Sequence, residues 1–431
     1  MSVTRADITA LLQENYGSEP YEQLNHEVRV LSMFDESETA QWDGDIAVES
    51  LHVGRNYSSM AINEANPLPV SGRQGWAELR VPMRYLYGSI NLTAQAIKTA
   101  ADRNTFANVL ESEVNGMVQD MLVEVNRIMW GSGVGTLALV QGDIGGAPVT
   151  TIPLDTPGGY AGTVNGARFI RPGMLLGFHD AAPGNNTPNA VVAVSSVAAD
   201  GTDMVIASGL DNTDAPDNGI ITKATNRVST DLKSSFNAEP MGIGGIIDDA
   251  TIVSTIFGLD RTTVNGEKYR ANVLSSIGDL DEFVFWRLLD MCDEMSGHEP
   301  DKFMCHHSVH REYIETTSND RRYTGEQNMN PDAGIEGGGR KHELTFSTTP
   351  IMKERMAPYG TLYGIDSAAC KRYETVPGEW IDEDGSILHR DNNYDRFDAA
   401  YRIWRNHGAK RVNSSFVARG INATVDIVNA S

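Results

Sequence analysis

The feature that most limits what this chain can fold into is one long amphipathic segment, residues 102–130. Its apolar residues recur every three or four positions, the spacing that places them on one face of an α-helix. Asp102 or Asn104 can cap its start, and glycines from Gly131 onward can end it. About 26 residues at 1.5 Å each give a rod of roughly 39 Å. That is over twice the usual helix length.

Residues 41–90 predict a long β-ribbon. In its return strand, Trp76, Glu78, Arg80, Pro82 and Arg84 are expected on one face. The opposite face is expected to carry the apolar residues Ala77, Leu79, Val81, Met83, Tyr85 and Tyr87. The outgoing strand, Ile46–Val53, breaks this alternation once, which predicts a β-bulge. The connection Asn63–Gly75 is rich in turn formers, and we expect a polar tip there. Because an isolated ribbon is marginal in water, it must lie on the rest of the chain or on another subunit.

Two regions flank this ribbon and helix. Residues 1–44 predict an N-terminal arm, with one short helix at Val3–Asn15, or alternatively a solvated tail. Residues 136–230 lack helical periodicity and alternate apolar segments with turns, which predicts an inserted all-β domain with a hairpin turn at Asp200-Gly201. The strands expected in it are Arg168–Phe178, Ala190–Val197, Met204–Ala207 and Gly219–Lys223.

From residue 231 onward the pattern is mixed. A helix is predicted over Asp279–Met295, capped by Asp279 with Glu282 and ended by Gly297. Its expected apolar face is Phe283, Trp286, Leu289, Cys292 or Asp293, and Met295. Expected β-structure comprises Pro300–Cys305, a Trp380–His389 hairpin turning at Asp384-Gly385, Phe397–Trp404 and Phe416–Val428.

Charge and composition argue against several classes of protein. The chain has 35 Lys and Arg against 58 Asp and Glu, a formal charge of −23. This balance disfavours broad nucleic-acid binding and docking on anionic membranes, both of which need clustered cations. Three cysteines are too few for a disulfide framework and favour reduced thiols in a cytosol. No apolar run reaches about 18 residues, and the start of the chain predicts no signal peptide.

The search for catalytic motifs finds little. The glycines after the long helix do not have dinucleotide-binding spacing. The densest polar cluster, Cys305, His306, His307 and His310, could bind zinc or iron only with one more ligand, and a strand-to-helix turn explains it better. A basic cluster near the end of the chain favours an intersubunit surface over a nucleic-acid site. Its members are Arg402, Arg405, Lys410, Arg411 and Arg419.

Several local stretches accompany this order of arm, ribbon, long helix and mixed domain. They are Leu86–Thr93, Trp130–Ala138, Arg171–Met174, Met241–Ile243, Gly258–Arg261 and Tyr359–Asp366. In sum the chain resembles the major capsid proteins of tailed bacteriophages, which have the Hong Kong 97-like fold. The resemblance covers essentially the whole chain, and none of the stretches is catalytic.

The resemblance implies an α+β Hong Kong 97-like capsid fold and no enzyme or cofactor. The expected parts are an arm at 1–44, an extended loop at 45–88, a peripheral domain with the spine helix at 89–135, the inserted all-β domain at 136–230, and an axial domain with returning peripheral strands at 231–431. Hexamers and pentamers of the chain would form an icosahedral shell around double-stranded DNA, touching it without sequence specificity. Assembly would occur in the bacterial host cytoplasm, away from membranes, with a portal protein in the shell and room for a decoration protein.

Two departures from the founding member of the family shape these expectations. There is no room before the spine helix for a cleaved assembly domain, which implies a separate scaffolding protein and no N-terminal processing. Residues 45–88 contain no lysine, so no crosslinking residue is carried over.

The extended loop is expected to supply intersubunit contacts. It holds four basic and four acidic residues, so its balance is 4 − 4 = 0 in a strongly acidic chain. A near-neutral ribbon laid over an acidic neighbour lets its arginines find carboxylates. The expected contact residues are Trp76, Arg80, Arg84, Arg73 and Pro67.

Two alternatives stay open at this stage. One is the shell of a bacterial nanocompartment with the same fold, made less favourable by the insert and the chain length. The other, of a different class, is a metal-dependent enzyme centred on Cys305, His306, His307 and His310. Metal content and size in solution separate the enzyme from a shell.

Overall fold

A computed structural model describes most of the chain between residues 30 and 425. The described residues are 30, 33–37, 41–64, 66–94, 103–160, 164–183, 186–225, 232–318, 329–330, 334–335, 344–347, 349–382, 387–390 and 394–425. The expected helix at Val3–Asn15 and the expected turn at Asp384-Gly385 lie outside them. The architecture mixes α and β structure and contains few helices.

The long helix predicted from the sequence is confirmed: α1 covers Arg103–Met129. Its second half enters the main hydrophobic core through Met121, Val125 and Met129. This half lies against the strand Tyr85–Thr93. Gly88 of that strand faces the methionines of α1, where any side chain would displace them.

A five-stranded sheet supports α1. Its longest strand, Arg396–Ala409, pairs antiparallel with Tyr85–Thr93 on one edge and with Cys370–Trp380 and His389–Arg390 on the other. Asp35–Glu36 adds a parallel strand beyond Cys370–Trp380. At the ends of the predicted Trp380–His389 hairpin, Trp380 and His389 each pair with the long strand and not with each other, and the predicted turn between them lies outside the described residues.

The predicted ribbon forms an antiparallel sheet of three strands, Gln41–Asp43, Ile46–Gly54 and Gly75–Pro82. We call residues 41–82 the ribbon and residues 55–74 its tip. The register between the second and third strands shifts after His52, which confirms the predicted bulge. Alternation also holds, because Leu79 and the other inward residues of the return strand are buried.

The return strand ends earlier than predicted. It stops at Pro82, which lacks the N–H needed to continue a ladder. After two residues the chain continues as Tyr85–Thr93 in the five-stranded sheet. Tyr85 and Tyr87 are exposed there, so the prediction that they extend the buried face of the ribbon is wrong.

Seven antiparallel strands within residues 138–234 form a sheet of their own, the insert sheet. They are Ala138–Val140, Val149–Asp155, Leu175–Phe178, Ala190–Val197, Asp203–Leu210, Ile220–Thr225 and Lys233–Ser234. Six of them close into a ring, since Ile220–Thr225 pairs with both Ala138–Val140 and Leu175–Phe178. A separate hydrophobic cluster lies within this sheet.

Three of the four strands predicted here are confirmed: Ala190–Val197 with the predicted limits, and Met204–Ala207 and Gly219–Lys223 within one to three residues of the observed limits. The hairpin at Asp200-Gly201 is confirmed, with Gly201 at a φ of 68°. Of the predicted strand Arg168–Phe178, only Leu175–Phe178 is extended. Gly166–Phe169 is instead a 3-10 turn, as is Pro157–Gly159 nearby.

The remaining residues build a mixed six-stranded sheet with a third hydrophobic cluster. In spatial order its strands are Asn272–Leu274, Phe416–Arg419, Thr361–Ile365, Lys302–Cys305, Thr349–Lys353 and Leu344–Phe346.

The helices of this part of the chain are α2 at Ile243–Ile246, α3 at Glu282–Ser296 and α4 at His307–Ser318. Smaller elements are the hairpins Thr255–Ile256 with Leu259–Asp260 and Met329–Asn330 with Gly334–Ile335, and a 3-10 turn at Glu267–Tyr269. Among the described residues, no helix is both long and apolar enough to cross a membrane.

Helix α3 corrects two predictions. Its N-cap is Asp281, not Asp279, because the Asp281 side chain accepts a hydrogen bond from the backbone N–H of Val284 at 3.0 Å. Its buried face is Phe285, Leu288, Leu289 and Cys292, whereas Phe283, Trp286 and Met295 are exposed. Apolar residues lie on both sides of α3. Phe285 packs against Phe303, and this contact selects the side that faces the core.

Candidate assembly interface

The base of the ribbon is fixed to the body of the chain. Its inward residues, among them Leu51 and Leu79, belong to the main hydrophobic core. Glu49 accepts a hydrogen bond from the Ser37 hydroxyl at 2.8 Å and lies 3.4 Å from Lys410 Nζ. These contacts hold the base, so the part of the ribbon available to another molecule is its outer face and its tip.

The outer face of the ribbon carries Trp76 and Arg80, two of the five expected contact residues. Trp76 is 66% exposed, and its ring lies 4.9 Å from the ring of His52 on the neighbouring strand. Arg80 forms an ion pair with Glu78 at 3.1 Å, with both side chains exposed. Arg80 therefore has a carboxylate partner within its own strand, whereas the sequence predicts that its partner lies on a neighbouring subunit.

Arg84 does not share this outer face as expected. It lies in the break after Pro82 and is half-buried. Burial lowers the pKa of its guanidinium. Its carbonyl oxygen accepts a hydrogen bond from the backbone N–H of Arg405 at 3.0 Å, which ties the break to the five-stranded sheet. Arg84 thus belongs to the anchored base of the ribbon.

The tip holds the other two expected contact residues, Pro67 and Arg73, both exposed. The polar tip predicted at 63–75 covers only part of this segment, and the segment as a whole carries exposed apolar residues. Its large exposed side chains are Tyr57, Met60, Ile62, Leu68 and Val70, with Leu68 82% and Val70 89% exposed. A count of large apolar residues in the turn-rich segment 63–75 would have found Leu68 and Val70, whereas the other three lie before that segment. Exposed apolar side chains concentrated in one projecting segment are typical of an interaction site.

A glycine pair narrows the ribbon where the tip begins. Gly54 and Gly75 end the paired strands, and a Cβ on either would lie 3.1 Å from the Cα of the other. That spacing is too tight for a side chain without backbone movement. The two glycines therefore allow a close backbone approach that any larger residue would force apart.

The basic cluster near the end of the chain is used within the chain. Each of its five members lies near a carboxylate: Arg402 near Glu379 at 2.6 Å, Arg405 near Glu374 at 3.1 Å, Lys410 near Glu49 at 3.4 Å, Arg411 near Asp366 at 2.7 Å, and Arg419 near Asp248 at 2.8 Å. These cations are thus paired within the chain, and their role as an intersubunit surface stays a prediction.

The candidate metal residues occupy a strand-to-helix turn. Cys305 is buried at the end of its strand, and burial raises the pKa of its thiol to about 12. The backbone N–H of Ser308 donates to His306 Nδ1 at 3.2 Å, which assigns a capping role at α4 to His306. His310 is buried on the same helix. In the part of the chain that the structure describes, no three His, Cys, Asp or Glu side chains are grouped to hold a metal ion.

A buried arginine joins the insert sheet region to the six-stranded sheet. Arg168 donates from Nη1 to the carbonyl oxygen of Ala357 at 2.9 Å and from Nη2 to that of Arg355. Its guanidinium lies 4.2 Å from the centre of the Tyr359 ring. Burial lowers the pKa of Arg168 to about 10. No local pattern indicates this role, because Arg168 and Ala357 are 189 residues apart in the chain.

A second ionic contact joins the insert sheet to α1. Arg127 Nη2 lies 2.7 Å from Glu124 and also contacts Glu239, while Lys223 Nζ of the insert sheet lies 2.7 Å from Glu124. Burial raises the pKa of Glu239. For Glu124, burial acts in the same direction, but the two cations outweigh it and lower the pKa to about 2. One network therefore couples the end of α1 to the insert sheet.

The fold of this chain is similar to that of a solved phage capsid chain. No family model and no curated protein matches the chain. Among solved structures, a chain of the cyanophage A-1(L) capsid asymmetric unit matches with a TM-score of 0.54 at 10% identity, over 95% of this chain and 98% of that one. A chain from the capsid of Myoviridae phage XM1 gives 0.44 at 8% identity over 94% and 100%, and one from Mycobacterium phage Bobi gives 0.42 at 11% over 98% and 100%. The cyanophage match shows a shared fold, and the fold assignment rests on it alone.

Proposed function

We propose that this chain, which has the fold of a cyanophage capsid chain, is a major capsid protein that self-assembles into the icosahedral shell of a tailed bacteriophage. The observation that carries the proposal is a fold match with a TM-score of 0.54 that spans 95% of this chain and 98% of the other. An anchored ribbon with an apolar exposed tip supports it, because such a tip needs a neighbour to cover it. The role is structural, without catalysis or cofactor.

The finer architecture that we propose is Hong Kong 97-like. In it the ribbon is the extended loop, α1 is the spine helix, and residues 136–230 are an inserted all-β domain. The separate hydrophobic cluster of the insert sheet supports an inserted domain. The long five-stranded sheet against α1 supports a peripheral domain, and the six-stranded sheet with α3 and α4 supports an axial domain.

The proposed partners follow from a shell of this kind. Copies of the chain form hexamers and pentamers, and the shell encloses double-stranded DNA without sequence-specific contact. A separate scaffolding protein directs assembly in the host cytoplasm, and a portal protein occupies one position of the virion shell. Trp76, Arg80 and the tip residues Pro67 and Arg73 contact a neighbouring copy, with Arg84 supporting them from the ribbon base.

Electron microscopy of the purified chain tests this function. We expect closed shells, or sheets and tubes built from hexameric units, with sedimentation in the megadalton range. A chain that stays monomeric over a wide range of concentration and crowding would contradict the proposal. Nucleic acid packaged in particles from infected cells would distinguish a phage shell from a nanocompartment.

A further inference from the structure

Helix α3 presents two aromatic side chains to solvent. Phe283 is 81% exposed and Trp286 is 50% exposed. Three residues apart on a helix, they lie on the same face. Single exposed apolar residues are ordinary on a protein surface. Two large exposed aromatic side chains on one helix face are typical of a binding surface.

Packing against a buried aromatic ring fixes the position of the Trp286 side chain. Its ring lies 5.1 Å from that of Phe346 in an edge-on arrangement, and Phe346 stacks on Phe285 at 4.7 Å. Phe285 and Phe346 are both buried in the third hydrophobic cluster. The exposed indole is therefore a rigid anchor, which loses little side-chain entropy when a partner covers it.

The same helix and its flanking residues are acidic. Helix α3 contains one basic and four acidic residues, a balance of 1 − 4 = −3, and residues 279–301 as a whole have a balance of 1 − 8 = −7. Four of these carboxylates are exposed on α3 itself, and within the described residues none of the four forms an ion pair. They are Glu282, Asp290, Asp293 and Glu294. Together with the exposed Arg287, these carboxylates leave a net negative surface beside the two aromatic rings.

We propose that this face of α3 binds a cationic amphipathic segment of another protein, a helix in which Lys and Arg flank a few large apolar residues. Its apolar residues cover Phe283 and Trp286, while its cations pair with the surrounding carboxylates and stack on the indole. A second copy of α3 is the wrong partner, because it would bring four further carboxylates and only one arginine against this surface. The proposal goes beyond the shell function and holds whether or not the chain forms shells.

A designed peptide tests the binding. The probe is a dye-labelled peptide of about 18 Leu and Lys residues, patterned as an amphipathic helix. Its control has the same composition scrambled so that no apolar face forms. Fluorescence anisotropy with the full-length chain is expected to show binding of the patterned peptide in about 50 mM salt, weakening steeply at high salt, and much weaker binding of the scrambled peptide.

Variants of the full-length chain identify the surface. Phe283→Ala with Trp286→Ala is expected to weaken binding at least about tenfold. Phe283→Ala alone, which removes a side chain with little packing, is expected to weaken it without changing the melting temperature. Val264→Ala, which truncates a residue 80% exposed outside α3, is the matched control and should bind as the wild type does.

Two outcomes would overturn the proposal. One is equal binding of the patterned peptide by the wild type and the double variant. The other is a double variant that changes self-association but not peptide binding, since the face would then serve a second copy of the chain. Either result leaves the shell function intact, because that is measured separately by particle formation.

Discussion

Arg80 and Glu78 stand two residues apart on the return strand of the ribbon, and Nη2 of Arg80 lies 3.1 Å from Oε2 of Glu78. Both side chains are exposed, so the pair itself contributes only about 0–1 kcal/mol to the free energy of unfolding. The pair instead determines which groups a neighbouring molecule would contact. These are the exposed Trp76 ring and an arginine that is already paired with a glutamate. A partner must therefore accept both charges of the pair together.

Reversing the charge at Arg80 should separate assembly from folding. Arg80→Glu places like charges on adjacent outward positions, and we expect the subunit to fold with a nearly unchanged urea midpoint while particles lose yield and heat resistance. Arg84→Glu should behave differently, because a half-buried carboxylate would lower the stability of the subunit itself by about 1–3 kcal/mol. Normal particles from Arg80→Glu would refute the contact role of the outer face.

The apolar tip should matter for particles and not for the isolated subunit. Leu68→Asp with Val70→Asp changes two side chains that are almost fully exposed, so the urea midpoint should stay within about 0.5 kcal/mol of wild type. Particle formation, followed by light scattering, should fall sharply. Val264→Asp is the control with similar exposure outside the ribbon, and equal losses from both would show a general charge effect instead.

The ion network at the end of α1 should be a major source of stability. Arg127→Met leaves Glu239 buried without its cation, and removing one partner of a buried pair costs about 3–5 kcal/mol. Lys223→Met removes the more exposed cation and should cost only about 0–1 kcal/mol. Urea unfolding at neutral pH measures both, and similar losses would disprove the central role of Arg127.

His407 should make the subunit sensitive to acid. It is fully buried, its Nδ1 lies 3.2 Å from the carbonyl oxygen of Met241, and burial together with Arg405 lowers its pKa to about 3. Because the folded pKa is below the unfolded value of about 6.5, the stabilisation is present above pH 6.5 and lost as the pH falls toward 3. By pH 5 the loss is about 2 kcal/mol.

Replacing His407 tests this dependence. Urea unfolding between pH 7 and pH 5 should show a smaller loss for His407→Gln than for wild type, even if the variant is less stable overall. His298→Gln, at an exposed position, should keep the wild-type slope. An unchanged slope in His407→Gln would assign the acid sensitivity to other groups.

The best sequence predictions rested on local periodicity. The spacing of apolar residues in α1, the alternation in the strand that ends at Pro82, and the Asp200-Gly201 turn all depend on contacts within a few residues. They were correct because those signals are set by backbone geometry. Among the candidate contact residues, periodicity placed Trp76 and Arg80 together correctly, and it failed for Arg84 once the strand had ended.

Local residue patterns were enough to predict α1, the ribbon with its bulge, and the Ala190–Val197 strand and Asp200-Gly201 turn of the insert sheet. Long-range packing selected the buried face of α3, the strand between Cys370–Trp380 and Tyr85–Thr93, and the carboxylates that pair with the five late cations. Each of these depends on residues far apart in the chain, such as Lys410 with Glu49. Periodicity fixes the direction of a side chain relative to its own element, whereas its partner is fixed only when distant elements pack together.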